Sequence, residues 1–462
     1  QIQRSSQMGH GSPNYSKTET LTYYDHAGKW VRGQLASKWV DGIEVARGEY
    51  DSSTANLLRV FQYGRRMQTL AYNADGTVAS ATDARNFTTT LGNWYRGVPR
   101  AIGYPDGTSQ SAVVNTQGWV TSVTDQNGFE TGYGYDALGR LSSLTPPTGD
   151  TVAWAGTTIN FSRSVGSAYG LPAGHWQRTE TRGNYRKVTY FDGLWRPVIE
   201  REWDNANVTG TQRFRAWSYD TAGRLAFEGD PRSTATGIGS FTTGTSTLYD
   251  ALGRPTTVSR SSELGTLTTT YTYLPGFRQQ VTDPRGNSTV TRYLAYDQPA
   301  TDWPMVIAGP GGVDTSFQRD VFGKPEMITR SGAGVSVTRH YVYDGDQRLC
   351  KQVEPETRAS VFGYDAAGNL TWSAAGISLS TARSCDREWV GSAEKTVRHY
   401  DAMNRVTLVD FPDATVDIAT TYTPDGLVST LGAGPHVWKY TYNRLRLPTR
   451  ELLEHTYQGL VY

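Results

Sequence analysis

Apolar and aromatic residues along this chain alternate with polar ones in short bursts, and many bursts end in a polar cluster built on Asp and Gly. In Tyr133-Gly134-Tyr135 the two rings are two residues apart, so on a strand both project from one face; Tyr271/Tyr273, Tyr341/Tyr343 and Tyr440/Tyr442 repeat the arrangement. Asp136 then offers a short carboxylate that accepts hydrogen bonds from backbone N–H groups a few residues on, and Gly139 tolerates the positive φ a chain reversal needs. Arg140 is placed to pair with the turn carboxylate or to lay its stem on a neighbouring tyrosine. Leu141 opens a departing strand, with Leu144 beyond a further polar pair. The pattern predicts a β-hairpin.

Copies of this hairpin run through the chain. The closest are 219–225 (YDTAGRL, with Tyr219, Asp220, Gly223 and Arg224), 249–255 (YDALGRP, with Tyr249, Asp250, Gly253 and Arg254), 364–370 (YDAAGNL, with Tyr364, Asp365 and Gly368) and 400–406 (YDAMNRV, with Tyr400, Asp401 and Arg405). Looser ones are 24–30 (YDHAGKW, with Tyr24, Asp25 and Gly28), 190–197, 320–325 and 343–349 (YDGDQRL, with Tyr343 and Asp344). Recurrence every 20 to 35 residues or so is the signature of a repeat architecture. An isolated hairpin is marginal in water, so the units must stack edge to edge, and their tyrosines are expected to form cross-strand ladders worth about 0.2–1 kcal/mol per pair. The fold class expected is all-β: antiparallel hairpins stacked into one long coiled sheet, closed as a hollow shell or left as an open solenoid or tube.

Between these copies lie other turns. Asp75-Gly76 and Asp106-Gly107 are strong hairpin signals, and 82–86, 124–128 and 282–287 share a Thr-Asp opening that suits the opposite end of each hairpin. Residues 51–67 fit a short helix or, better, strands. Pro146 and Pro147 stop a strand, 153–175 reads as a long excursion, 232–247 as a flexible hairpin tip, and 373–395 as an insertion. Pro304, Pro310, Gly311 and Gly312 argue against central-strand pairing in 303–314. The expected organisation is a polar arm over 1–19, holding Gly9, Gly11 and Pro13; a repeat domain over 20–447; and the end of the repeat region over 448–462, continuing in a longer protein.

The Tyr-Asp-x-x-Gly-Arg units resemble the YD-repeat family, also called RHS repeats, of bacterial Rhs proteins, insecticidal toxin-complex B and C components, and the shell of animal teneurins. The resemblance runs from Tyr24 to about Leu447. It implies hairpins wound into a hollow shell that encloses a toxic or other passenger polypeptide, in an exported, bacterial protein. Asp283-Pro284-Arg285-Gly286 superficially matches the family's self-cleavage element, but it lies mid-chain inside a turn and is rejected as one.

Composition sharpens this picture. Aromatic residues make up 12% of the chain, with 28 tyrosines and 49 glycines, as a hairpin-rich protein requires, and a net charge of +1 with no basic run gives no reason to expect nucleic acid. No apolar run is long enough to span a bilayer, so no membrane insertion is expected. Seven scattered histidines form no metal-ligating pair, and the regularly spaced aspartates are read as turn caps rather than acid/base groups. No catalytic, cofactor or metal site is expected. Cys350 and Cys385 lie 35 residues apart; two free, partly buried thiols are the favoured reading and a disulfide between adjacent strands the alternative. Trp94, Trp119, Trp195 and Trp203 are read first as sheet-packing residues and second as sugar-stacking platforms. The leading function is therefore a non-enzymatic scaffold shielding a passenger such as a toxin, secreted or at the cell surface. The alternatives are a rod or filament self-associating through terminal strands, and an adhesion module that binds glycans.

Overall fold

The computed structural model describes residues 2–7, 16–295 and 300–455; Gly9, Gly11, Pro13 and the end of the 448–462 segment lie outside them. Among the described residues the chain forms 37 strands joined by turns and a few short helical segments. They belong to one open antiparallel sheet, with Ile2–Gln7 paired to Ser16–His26 at one end and Pro448–His455 paired to His436–Tyr442 at the other. Strands pair with their sequence neighbours, because each tight turn delivers the departing strand beside the arriving one. No helix among the described residues is long and apolar enough to cross a membrane.

Register is set by the turn. Tyr135 faces Leu141 across a bulge that follows the Gly134–Ser143 pair, and the same irregularity places Tyr219 opposite Leu225, Tyr249 opposite Pro255, Tyr343 opposite Leu349, Tyr364 opposite Leu370 and Tyr400 opposite Val406. The extra residue comes from the reversal, and it adds local twist to these hairpins.

Two compact units are present: one made of Gln1–Phe129, Tyr293–Ile307 and Gly311–Tyr462, the other of Glu130–Arg292 and Ala308–Pro310. In the second unit the core is Ile199, Phe214, Ala216 and Phe241, flanked by Tyr169 and Tyr190. Phe241 lies against Gly229, where a Cβ would stand 2.5 Å from the Phe241 ring, so only glycine lets the ring reach the sheet. In the first unit Val361, Ala374 and Val390 form one cluster, and Leu294 and Met305 another with Trp303 against it.

Several sequence expectations need correction. Ile2–Gln7, read as part of an arm, is a strand. The excursion over 153–175 contains the strand Thr157–Arg163, paired with Trp176–Arg182, because Ile159 and Phe161 alternate with exposed polar residues as a half-buried strand should. Residues 232–247 are no flexible tip: Arg232 exchanges backbone hydrogen bonds with Phe214 (2.8 and 3.1 Å), Ile238–Ser240 forms a helical turn, and Phe241 is buried. Pro304–Ala308 is a strand, since a proline at a strand's first residue forfeits only its own N–H. The strand reading of 51–67 holds, with Leu57–Gln62 leading by a tight turn into Arg65–Tyr72.

Candidate functional site

The repeat turn is a closed local network. In the best copy Asp136 Oδ1 accepts the backbone N–H groups of Leu138 (2.9 Å) and Arg140 (3.0 Å), while Oδ2 accepts the Arg140 Nε–H at 2.7 Å. Gly139 N donates to Asp136 O (3.0 Å) with Gly139 at φ +78°. Asp220, Asp250 and Asp401 repeat the pattern with Arg224 (2.7 Å), Arg254 (2.7 Å) and Arg405 (2.6 Å), and Asp192 does so with Arg196 at 2.8 Å. Backbone donation from Arg140 and the Arg140 guanidinium together hold the Asp136 carboxyl below the usual range, and Asp220 and Asp250 are held low in the same way. At Asp344 burial pushes the pKa up, but the N–H and guanidinium of Arg348 and the Arg387 side chain outweigh it and the carboxyl stays low. A carboxylate saturated by donors and kept ionised is suited to holding a turn, not to exchanging protons.

Each turn is also fastened to the next repeat. The guanidinium of Arg196 lies over the Tyr219 ring (4.3 Å), Arg224 over Tyr249 (4.7 Å), Arg254 over Tyr273 (3.9 Å), Arg348 over Tyr364 (4.9 Å) and Arg405 over Tyr422 (4.7 Å). The tyrosine hydroxyl then donates to the carbonyl just after that arginine: Tyr219 to Pro197 (2.9 Å), Tyr249 to Leu225 (2.8 Å), Tyr273 to Pro255 (2.9 Å), Tyr364 to Leu349 (2.8 Å) and Tyr422 to Val406 (2.7 Å). The expected tyrosine ladder is thus corrected. Rings stack on each other at Tyr24 and Tyr50 (4.9 Å), but in these repeats each ring is covered by the preceding turn's arginine while its hydroxyl reaches a carbonyl on the neighbouring strand. Burial raises the pKa of Tyr364 and Tyr422, and pushes Tyr343 up to about 12.

In the first unit, later turns seat on earlier ones. Tyr63 meets Phe322 edge to face at 5.7 Å. Arg65 pairs with Asp346 (3.2 Å) and donates to Ala366 O. Arg85 donates to Asp401 O (2.9 Å), Tyr400 O (3.3 Å) and Asn404 Oδ1 (2.8 Å), and lies 3.4 Å from Asp365. Arg405 pairs with Asp106 at 3.1 Å, and Arg444 covers the Phe129 ring at 5.0 Å. Both sides of this seam ascend in the same order, and its hydrogen-bonded partners are 299 to 321 residues apart. Burial opposes ionisation of Asp106, but the Thr108 hydroxyl and N–H and then Arg405 keep its pKa low.

The insertion after Leu370–Ile377 is fastened separately. Cys350 and Cys385 form a disulfide with Cα atoms 5.3 Å apart, where two free thiols were the favoured reading. The fully buried Lys351 donates to Asp386 Oδ2 (2.5 Å), Ala382 O (2.8 Å) and Ser380 O (3.1 Å), and Arg387 reaches Phe362 O (2.7 Å) and Asp344 Oδ2 (3.0 Å). Lys351 and Ser384 hold the Asp386 carboxyl below its ordinary value.

Of the residues singled out from the sequence, Asp136, Asp220, Asp250, Asp344, Asp365 and Asp401 occupy equivalent turn positions. Asp25 differs: its Oδ1 accepts from Gly33 N (2.7 Å), and Trp30 rather than Gly28 takes the left-handed φ, at +57°. The left-handed place is filled by Gln347 (φ +62°) and Asn404 (φ +61°) in the glycine-less copies. Trp195 is stacked on Trp176 (4.7 Å), Trp94 Nε1 donates to Val78 O (2.9 Å) and Trp203 Nε1 to Asn205 Oδ1 (2.8 Å), so these indoles are engaged by the sheet and its turns. Sequence reasoning missed the seam and Lys351. An arginine at the fourth place of a Thr-Asp turn, as in Arg85, is the one local signal for the seam; its partners lie too far along the chain for any pattern to pair them.

The RHS repeat family model matches residues 115–151. No curated protein matches the sequence. Among solved structures, one of the Photorhabdus luminescens Tc holotoxin pore, carrying a TccC3 mutation, has a similar fold: TM-score 0.56 and 12% identity over 98% of this chain. This chain spans only 26% of that one. A TcdB2-TccC3 structure without its hypervariable C-terminal region aligns at TM-score 0.37 and 10% identity, covering 96% of this chain and 34% of that one.

Proposed function

This chain is a YD/RHS-repeat protein, and from that premise we propose that it is a structural wall that shields a passenger polypeptide, such as a toxin, in an exported bacterial protein. The observation that carries the reading is the seam of the first unit. Turn rows about 300 residues apart meet through Arg65, Arg85 and Arg405, so one stretch of sheet abuts another rather than ending in a free row of turns. A sheet whose strands are paired and whose turn rows abut leaves few frayed segments for proteases. The turn carboxylates support a scaffold over an enzyme, because each is saturated by its own turn. The likeness to a Tc holotoxin pore structure makes a toxin the natural class of passenger.

Protease protection tests this. An unstructured reporter segment fused to the chain should be digested far more slowly than the free reporter, and the double substitution Arg85→Glu with Arg405→Glu should restore rapid digestion. Equal digestion of fused and free reporter would sink the proposal.

A further inference from the structure

The third residue of each repeat turn stands at its tip, and the two units treat that tip differently. In the C-terminal repeats of the first unit, Phe322, Met403 and Leu445 at this position are half-buried, and the turns that carry them or lie beside them are met by the earlier row through Tyr63, Arg85, Arg405 and Arg444. In the second unit the same position holds Leu138, Leu194 and Leu252, exposed by 77%, 72% and 77%, with the exposed Ala222 between the last two. Regularly spaced leucines on hairpin tips, each above an ionised Asp–Arg pair, make a rim with the chemistry of the covered one and, among the described residues, nothing over it.

The other side of the second unit carries the complementary half. Asp283 Oδ1 accepts the N–H groups of Arg285 and Asn287, both at 2.9 Å. That reproduces the turn in which Asp83 Oδ1 accepts Arg85 (2.9 Å) and Phe87 (2.8 Å). Arg285 therefore holds the same place in its turn as Arg85, the arginine that donates to Asp401 O and Tyr400 O across the seam. Arg285 is exposed and, among the described residues, bonds to no second turn.

We propose that the second unit bears both halves of an unfilled seam, and that a second copy of this chain fills it: the Arg285 turn of one copy seats on the Leu194–Leu252 rim of the next, as Arg85 seats on the turn of Asp401. The occupant follows from complementarity, since one chain carries both halves and displays their mating geometry once internally. The two faces are different surfaces, so the contact is heterologous and propagates beyond a dimer. This inference stands on the seam alone and is independent of whether the wall holds a passenger.

Sedimentation velocity on the whole chain from about 1 to about 100 µM tests it, a range that brackets ordinary non-obligate affinities. Mean mass should rise with concentration. Leu194→Asp with Leu252→Asp, and separately Arg285→Glu, should each weaken association by about tenfold or more while leaving the melting temperature unchanged, because all three sites are exposed. An equimolar mixture of the two variants should regain association but stop at dimers, each copy supplying the half the other lacks. A chain that stays monomeric throughout, or oligomers that neither variant weakens, would overturn the proposal.

Discussion

At the residue scale, what matters is which atoms the backbone needs satisfied. Gly368 sits at φ +91° with nothing within 4 Å of an added Cβ, so Gly368→Ala meets no clash and isolates the cost of a left-handed alanine. That cost is about 1–2 kcal/mol, readable as a lower midpoint in thermal or denaturant unfolding. Tyr364→Phe removes one hydroxyl donated to Leu349 O at 2.8 Å and leaves the ring under Arg348. The expected loss is about 1 kcal/mol, and a much larger one would mean that the ring had moved.

At the scale of the element, the insertion over 378–395 has little regular structure beyond helical turns at Arg387–Trp389 and Ser392–Glu394. It is held by the Cys350–Cys385 bond, the buried Lys351–Asp386 pair and Val390 in the local core. Cys385→Ser should destabilise the chain by about 4 kcal/mol, the scale expected for opening a loop of 35 residues. Proteolysis should then begin within 378–395. Thiol labelling of the denatured, unreduced parent should modify neither cysteine; labelling of both would refute the bond. The hairpins behave otherwise, since each carries its own turn network and fastens to its neighbour, so damage in one repeat should stay local, as in other repeat proteins.

At the scale of the molecule, charge governs the pH window. Asp106, Asp344 and Asp425 are all held below the ordinary carboxylate range despite partial burial. At mildly acidic pH the unfolded chain therefore binds more protons than the folded one. Stability contributed by these groups is complete above about pH 5 and is lost as pH falls through about 4 toward the lower folded values. On the alkaline side burial pushes Tyr190 and Tyr343 up to about 12, so unfolding should ease once pH exceeds about 10, where only the unfolded tyrosines ionise. Melting temperature against pH should be flat between these limits; an optimum at one sharp pH would contradict the assignment. Salt acts on the same contacts: with a Debye length near 3 Å at 1 M, the difference between parent and Arg85→Ala should shrink at high salt without vanishing, because the Arg85 side chain is only 17% exposed.

The sequence by itself determined the hairpin. Asp, a left-handed residue and Arg within five positions satisfy one another locally, so Asp136, Asp220, Asp250 and Asp401 were legible as turn anchors without knowledge of any distant partner. Departures from the motif were less legible: the alternation of Ile159 and Phe161 in Thr157–Arg163 is short and flanked by glycine-containing loops, and the Gly- and Ser-rich 232–247 is ordered by Phe241 packing on the distant Phe214. Only the tertiary structure decided that arginine and tyrosine of successive repeats pair, that Lys351 is buried beside a disulfide, and that Arg85 and Arg405 reach partners some 300 residues away. The physical reason is range. A turn is stabilised by atoms a few bonds apart and so is written in a few letters, whereas a seam depends on the accumulated twist and register of every strand between its two sides.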